Sequence, residues 1–360
     1  MSVRSKLARV LDGLGVVQAA LQIRSYVATP WLTTLCYHRT ADAAAAGDEL
    51  DRGIIDATPA QFDQQIAFLS RHFEFVDIDQ VVAFAQGRGR LPPNPVLITF
   101  DDGYKECFTL TLPILERYGA RGTFFISTRQ MNERRLFWWD RFNWILRRAT
   151  RDELVLSYPH DLVLDVVDEK TKAQAHHALT TLVKRTKGLD LDRFTDQLER
   201  AAGCALSREE ERRMVDRTLM TWDEVAAMSR AGMSLGSHSH GHRVLQTLEP
   251  EDFDLELGQS RRQLEERLDR PIRTIAYPVG YPLGDNEELR RAVSDAGYAV
   301  GFTVRAGVFG GRRLDPLDVP RVLMDTSYDL QHFSAMTTLP PLAPKSQAGM
   351  APPDSSGRRL

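Results

Sequence analysis

The sequence predicts an α/β fold of the barrel type, because strand-like and helix-like segments alternate along most of its 360 residues. Short β-branched and aromatic runs are typical of buried strands, and apolar residues at helical spacing separate them. The predicted strands are 33–37, 96–100, 121–126, 233–236, 274–277 and 299–304, and the predicted helices are 59–73, 110–118, 222–231, 250–268 and 286–296. This alternation favours a sheet covered by helices.

The alternation is interrupted in the middle of the chain, where the sequence becomes charged and mostly helix-like. Helices are predicted there at 170–187 and 191–202. We therefore divide the chain into an N-terminal amphipathic region (1–31), a barrel (32–131 and 218–326), a mostly helical insertion (132–217) and a C-terminal extension (327–360). From residue 340 the extension is rich in Pro, Ser and Gly, which predicts disorder.

Two adjacent carboxylates end the predicted strand at 96–100. Asp101 and Asp102 are followed by Gly103, which lets the chain turn sharply after the acids. Ligand sites of α/β proteins gather at the carboxyl ends of strands, so this placement predicts a site. A plain polar turn is the alternative for an Asp-Asp-Gly sequence.

Three of the nine histidines lie within residues 238–242. His238 and His242 are spaced i and i+4, so on one helical turn their imidazoles would point the same way. Two imidazole nitrogens and one carboxylate oxygen form a three-ligand site of the zinc type that leaves a coordination position open. The sequence therefore predicts a hydrolase that uses a divalent metal.

Residues 99–104, Thr-Phe-Asp-Asp-Gly-Tyr, and residues 238–242, His-Ser-His-Gly-His, carry a family resemblance. The chain resembles the polysaccharide deacetylases of carbohydrate esterase family four, the NodB homology group. The resemblance implies a distorted barrel of seven strands and a divalent metal, with zinc expected and cobalt or another ion as alternatives. It also implies that Asp102, His238 and His242 hold the metal, that Asp101 is the general base and that the backbone near Tyr104 faces the oxyanion.

The sequence offers two histidines as candidates for the general acid. Typical members supply it from a Leu-x-His motif, whose letters fit residues 330–332, but the surrounding sequence reads as a polar, helical stretch instead of a strand. His38, after Tyr37, resembles the Tyr-His signature of the exopolysaccharide-cluster deacetylases. His38 and His332 therefore remain alternatives, and a purely structural task for His38 stays open.

A second departure concerns the arginine that normally steadies the catalytic aspartate. Its motif position holds Ala276, followed by Tyr277 and Pro278, which resembles the variant of the same subgroup. Tyr277 and Pro278 are candidates for contact with the oxyanion or the substrate. We expect Arg321 to restore a cation beside Asp101 from another strand, with a surface arginine as the alternative.

The resemblance implies removal of an N-acetyl group from N-acetylhexosamine units of a glycan, an oligosaccharide or a lipid-linked precursor. Trp138 and Trp139 are candidates for stacking on a sugar ring, and core packing is the alternative. O-deacetylation and deformylation are rival reactions, since a water-activating metal accepts several acyl groups. The alternative to an enzyme is a non-catalytic glycan-binding or assembly protein that retains the barrel.

Charge and cysteine content limit the remaining classes of function. A net charge of -3 argues against a nucleic-acid partner, because phosphate contacts require a basic surface. The three cysteines are odd in number and widely spaced, which favours a reducing compartment.

The N-terminus decides the expected location. Arg4, Lys6 and Arg9 precede apolar residues at helical spacing, and the stretch is too short and too polar to span a bilayer. No convincing cleavage site follows, so a cytoplasmic protein is predicted. The helix either packs on the domain or lies at the inner face of the membrane through its basic flank.

Overall fold

The structure, a computed structural model, describes residues 7–8, 10–11, 13–26, 31–42, 50–305, 307–309 and 315–339. Its strands are β1 (Thr33–Tyr37), β2 (Arg39–Thr40), β3 (Ile55–Ala57), β4 (Glu74–Phe75), β5 (Pro95–Phe100), β6 (Gly122–Ile126), β7 (Glu153–Leu156), β8 (Leu162–Asp165), β9 (Ser234–Ser237), β10 (Thr274–Ala276), β11 (Val300–Phe302) and β12 (Val322–Leu323). Its helices are α1 (Val16–Tyr26), α2 (Pro59–His72), α3 (Ile78–Ala85), α4 (Leu112–Arg117), α5 (Thr128–Glu133), α6 (Trp138–Arg148), α7 (Glu169–Arg185), α8 (Leu191–Ala202), α9 (Arg208–Thr218), α10 (Trp222–Arg230), α11 (Ser260–Leu268), α12 (Glu287–Asp295) and α13 (Leu330–Thr338).

The main sheet is parallel and curls into a half-barrel covered by helices, so the predicted α/β barrel is confirmed. Its strand order is β11-β10-β9-β6-β5-β1-β12, and β4 pairs with the start of β5. Parallel strands bring their carboxyl ends to one edge. The residues that follow β1, β5, β9 and β10 therefore meet at this edge.

Burial on both faces explains why the central strands read as continuous apolar runs. Every residue of β1, β5 and β6 is buried. Aromatic rings fill the space beneath the edge, where Phe100 stacks on Phe124 with ring centroids 4.6 Å apart and on Tyr37 at 5.5 Å. The carboxyl end of β5 consequently rests on a rigid layer of side chains.

Two predicted helices become α-helical later than expected. A π-helical turn, Cys107–Thr111, precedes α4, and a 3₁₀ turn, Pro250–Asp252, and a π-helical turn, Asp254–Gln259, precede α11. In the first case Pro113 has no N–H for the carbonyl four residues earlier, which prevents a regular α-helix there. The short elements β2, β3, β4 and β12, together with α3, were not predicted.

A second core is formed mostly by the segment predicted as an insertion. It combines α6 to α9 with an antiparallel hairpin of β7 and β8, which the sequence analysis missed. Four-residue strands with alternating burial give too weak a period to recognise. The apolar side chains of this core include Trp144, Leu179, Phe194 and Leu198. The boundaries of the insertion at 132 and 217 stay a prediction.

The N-terminal helix α1 packs through one face and exposes the other. Arg24 is buried and donates to the carbonyl oxygens of Thr337 and Thr338 at 2.9 and 3.0 Å, which ties α1 to the end of α13. Ile23 and Tyr26 are exposed on the opposite face. Within the described ranges, no helix combines the length and the apolar character that crossing a membrane requires. The expected disorder from residue 340 lies outside the described residues.

Membrane contact through the exposed face of α1 stays a prediction, and vesicle co-sedimentation can test it. Replacing Ile23 by glutamate should reduce co-sedimentation with phosphatidylglycerol vesicles, because a charge on the apolar face opposes its burial in lipid. Gln18→Glu adds the same charge at an exposed polar position and should change sedimentation less. A parent protein that stays in the supernatant with these vesicles contradicts the prediction.

Candidate metal centre

The two acids sit at a turn that the sheet holds in place. Asp101 N–H donates to Tyr37 O at 2.8 Å, so the acid continues the pairing of β5 with β1. Asp102 and Gly103 then adopt left-handed backbone, with φ of 75° and 88°. Aspartate tolerates this region better than most residues. Because of this turn, the carboxylates of Asp101 and Asp102 point in different directions.

The two histidines follow β9 on a loop, so the predicted helical turn is wrong. His238 N–H donates to Ile126 O at 2.9 Å and extends the pairing of β9 with β6. Ser239 and His242 then have φ of 62° and 55°, which is incompatible with a right-handed helix. The Ser239 hydroxyl accepts the His242 N–H at 3.0 Å and closes the loop. This closed loop, instead of helical spacing, turns both imidazoles toward Asp102.

Asp102, His238 and His242 form a buried group with one candidate ligand atom each, all within 4.8 Å of one another. The Nε2 atoms of His238 and His242 lie 3.4 and 3.3 Å from Asp102 Oδ1. Neither Asp102 oxygen has a hydrogen-bond partner among the described residues. A buried carboxylate without partners requires explanation, and a cation supplies it. The donor set of two nitrogens and one oxygen fits zinc.

Burial opposes the charge of Asp102, but the two imidazoles outweigh it and hold the pKa of this carboxyl well below its usual range. His238 Nδ1 donates to Ala276 O at 2.8 Å, which leaves Nε2 as the nitrogen that faces the carboxylate. The arrangement therefore presents an ionised carboxylate and a correctly turned imidazole.

Arg321 lies beside Asp101, where the sequence analysis expected a cation. Its Nη1 and Nη2 donate to the two Asp101 oxygens at 2.7 Å each, and the guanidinium is fully buried. Burial raises the pKa of Asp101, but Arg321 outweighs it and lowers this pKa below its ordinary value. Thr99 and Thr303 accept further hydrogen bonds from the guanidinium. Asp101 is thus held ionised in a fixed orientation.

His38 and His332 lie in different parts of the fold. His38 follows β1, its Nδ1 is 3.0 Å from Asp56 Oδ2, and a candidate ligand nitrogen of its ring lies within 4.8 Å of an Asp101 oxygen. His332 belongs to α13, which packs on α1 and α2, and its ring contacts Tyr328 at 4.6 Å. The structure therefore brings His38, and not His332, to the group at the strand ends.

Tyr104 and Tyr277 use their hydroxyl groups within the fold. Tyr104 donates to Asp140 Oδ2 at 2.8 Å inside the second core. Tyr277 donates to Leu317 O at 2.8 Å, and Pro278, the next residue, is buried. The side chains of both tyrosines are therefore engaged. The backbone of Tyr277 is engaged as well, since its N–H donates to Phe302 O at 3.0 Å and its carbonyl oxygen accepts the N–H of Gly280 at 2.8 Å.

Trp138 and Trp139 lie close to the metal group, but each is only 6% exposed. Trp138 Nε1 donates to His242 O at 3.4 Å, and the Trp139 ring meets the His242 ring at 4.5 Å. Both indoles consequently offer little surface to a sugar ring. Both indoles pack against a candidate metal ligand. This placement favours the core-packing alternative over stacking on a sugar ring.

Sequence reasoning missed two acids that organise the site. Asp56 pairs with His38, and Glu256 accepts the N–H of Gly241 at 2.8 Å in the loop between the two histidines. Asp56 lies in a short apolar run, and this unusual placement of an acid is the sequence signal that could have identified it. Glu256 looks like any charged residue of a helix, so only the structure identifies it.

Comparison with known proteins supports the resemblance. The profile of the polysaccharide deacetylase family matches residues 88–301, which include both motifs. YxkH of Bacillus subtilis (strain 168), assigned to the same family, is 30% identical over 88 residues, or 24% of this chain and 30% of YxkH. The match thus spans less than a third of that relative.

Solved structures share the fold. The Streptococcus pyogenes deacetylase PplD, solved in complex with acetate, aligns with a TM-score of 0.54 and 17% identity over 87% of this chain and 100% of its own. The de-N-acetylase from Aggregatibacter actinomycetemcomitans aligns with a TM-score of 0.51 and 15% identity over 84% of this chain and 97% of its own. At these identities the likeness concerns the fold alone.

Proposed function

The chain belongs to the polysaccharide deacetylase family, and we propose that it removes N-acetyl groups from N-acetylhexosamine units of a glycan, an oligosaccharide or a lipid-linked precursor. The observation that carries the proposal is the buried group of Asp102, His238 and His242 beside the ion pair of Asp101 and Arg321. The name of the Aggregatibacter de-N-acetylase, which shares the fold, supports an amide substrate over an ester.

We assign the metal to Asp102, His238 and His242, with zinc as the expected ion. A divalent ion supplies Lewis-acid chemistry there, because it polarises a carbonyl oxygen and lowers the pKa of water. The buried oxygens of Asp102 support this assignment, since the two imidazoles face them and no other described residue hydrogen-bonds to them. The other ring nitrogen of His238 is held by Ala276 O, as is usual for ligating histidines.

Asp101 is the proposed general base. Water adds to the acetamide carbon as Asp101 takes its proton, and the backbone near Tyr104 donates to the developing oxyanion. The carbon–nitrogen bond then breaks, which yields acetate and a free amine on the sugar. Arg321 binds both Asp101 oxygens, so the base is ionised and oriented before the substrate arrives.

His38 is the proposed acid that protonates the leaving nitrogen. Burial lowers the pKa of His38, but the carboxylate of Asp56 outweighs this effect and raises the pKa to about 9. A protonated imidazole is therefore available at neutral pH. Its side chain is about a fifth exposed, so a substrate can reach it.

Release of acetate from N-acetylglucosamine oligomers tests the proposed function. Chelated protein should release none, and addition of zinc or cobalt should restore release, because the metal supplies the Lewis acid. Release from O-acetylated or N-formylated sugars alone would point to the rival reactions of the family. Oligosaccharide binding without turnover of any of these substrates would favour the non-catalytic rival.

The pairing of His38 with Asp56 predicts a pH dependence. The folded pKa near 9 lies above the ordinary 6.5, so the stabilisation from this pair is complete below pH 6.5 and is lost as the pH rises through 9. In Asp56→Asn the nearest counter-charge disappears while burial remains, so the His38 pKa should fall from about 9 toward its ordinary 6.5. Titration of the metal-free protein by NMR measures the change, and an unaltered pKa contradicts it.

A further inference from the structure

The two histidines of the candidate metal centre are held in different ways. His238 Nδ1 has a carbonyl partner, Ala276 O, at 2.8 Å. His242 Nδ1 is buried and finds no hydrogen-bond partner in the part of the chain that the structure describes. Ligating histidines are normally oriented by a hydrogen bond from the second ring nitrogen. Within the described residues, no hydrogen bond to Nδ1 therefore fixes the orientation of the His242 ring.

Aromatic rings of the second core enclose His242. The Trp139 ring lies 4.5 Å from the imidazole at an interplanar angle of 65°, and the Phe137 ring lies 5.4 Å away at 77°. The His238 ring meets it at 4.7 Å from another side. Edge-to-face contacts of this kind are favourable and restrict the rotation of a ring.

Trp139 is itself fixed by a chain of hydrogen bonds. Its Nε1 donates to the Tyr104 oxygen at 3.2 Å, and the Tyr104 hydroxyl donates to Asp140 Oδ2 at 2.8 Å. Asp140 Oδ1 accepts the N–H of Asp51 at 2.9 Å. Phe137 stacks on the indole with ring centroids 4.5 Å apart. Trp139 thus has little freedom to move away from His242.

We propose that Trp139 is a positioning residue for His242. Its ring contact orients the imidazole, a task that a hydrogen bond to Nδ1 performs in His238. The first helix of the second core then contributes to metal affinity without touching the ion. This inference rests on the proposed function, because it requires an ion bound by Asp102, His238 and His242.

Zinc affinity of the purified full chain tests the inference by competition with a chromophoric chelator. Trp139→Phe keeps an aromatic ring but loses indole area and the bond to Tyr104, so the Kd for zinc should rise by about tenfold or more. Trp144→Phe is the matched control, since Trp144 is a buried indole of the same helix that packs against Arg148. This control should leave the Kd within about twofold, on the ordinary independence of distant sites.

Absorption of the cobalt-loaded proteins gives a second readout that a merely structural role would not move. The visible bands of cobalt should shift in Trp139→Phe and stay unchanged in Trp144→Phe, because only the first change releases a ligand ring. Trp139→Tyr serves the same comparison if the phenylalanine variant does not fold, as judged by circular dichroism.

The outcomes separate the inference from the proposed function. Unchanged zinc affinity and cobalt bands in Trp139→Phe overturn the positioning role while the metal site stands. Equal weakening in both tryptophan variants also overturns it, because the effect then belongs to the stability of the second core. A parent protein that binds neither ion overturns the metal assignment, and the inference with it.

Discussion

Asp101→Asn should lower the rate of acetate release by about 10²–10⁴-fold, the usual contribution of a general base. The amide is close in size to the carboxylate but cannot take a proton from water at neutral pH. Zinc content should stay near that of the parent, since we assign the ion to the group of Asp102, His238 and His242. Single-turnover acetate release together with metal analysis measures both quantities.

Asp102→Asn is the matched control because it makes the same chemical change one residue away. It should lose zinc as well as activity, since it removes the carboxylate from the candidate ligand group. If Asp101→Asn keeps most of the parent rate, the assigned base is wrong. Loss of zinc in Asp101→Asn would move this residue into the metal group.

Arg321→Met should lower the free energy of unfolding by about 3–5 kcal/mol, because it leaves the buried Asp101 carboxylate without its counter-charge. The guanidinium is fully buried and makes two hydrogen bonds of 2.7 Å to that carboxylate. Methionine fills much of the volume, so the loss is chiefly electrostatic. Urea unfolding of the metal-free protein measures the difference.

An exposed ion pair provides the comparison for Arg321. Arg117 pairs with Asp63 at 2.8 Å, but its side chain is 59% exposed. Arg117→Met should therefore cost less than about 1 kcal/mol. Adding Asp101→Asn to Arg321→Met should recover part of the larger loss, since the unpaired charge disappears. Equal costs at both arginines would show that burial of the Asp101 pair has no energetic consequence.

Local patterns predicted the fold where strands are buried on both faces. The runs that form β1, β5 and β6 are apolar throughout, and the observed strands match the predicted ones closely. The two residues of β12 offer no period at all, and their pairing with β1 depends on contacts across most of the chain. Short elements of this kind depend on tertiary contacts and not on propensity.

The sequence predicted those site residues that belong to the two motifs. The structure brings Asp102, His238 and His242 together, although the spacing argument for a helical turn was wrong and a closed loop orients the rings. Asp56 and Trp139 contact His38 and His242, which lie on other elements. A sequence without alignment does not show which distant side chain a residue meets.

The antiparallel bridge between Tyr104 and Leu219 has a consequence for exchanging segments between family members. It joins the end of the second core to the turn that carries Asp102, while Trp139 joins the start of that core to His242. A chimera that replaces residues between these two points would also replace supports of the candidate metal ligands. Grafted segments should therefore be chosen with their contacts to Tyr104 and His242 intact, because both cores contribute to the edge that carries the candidate site.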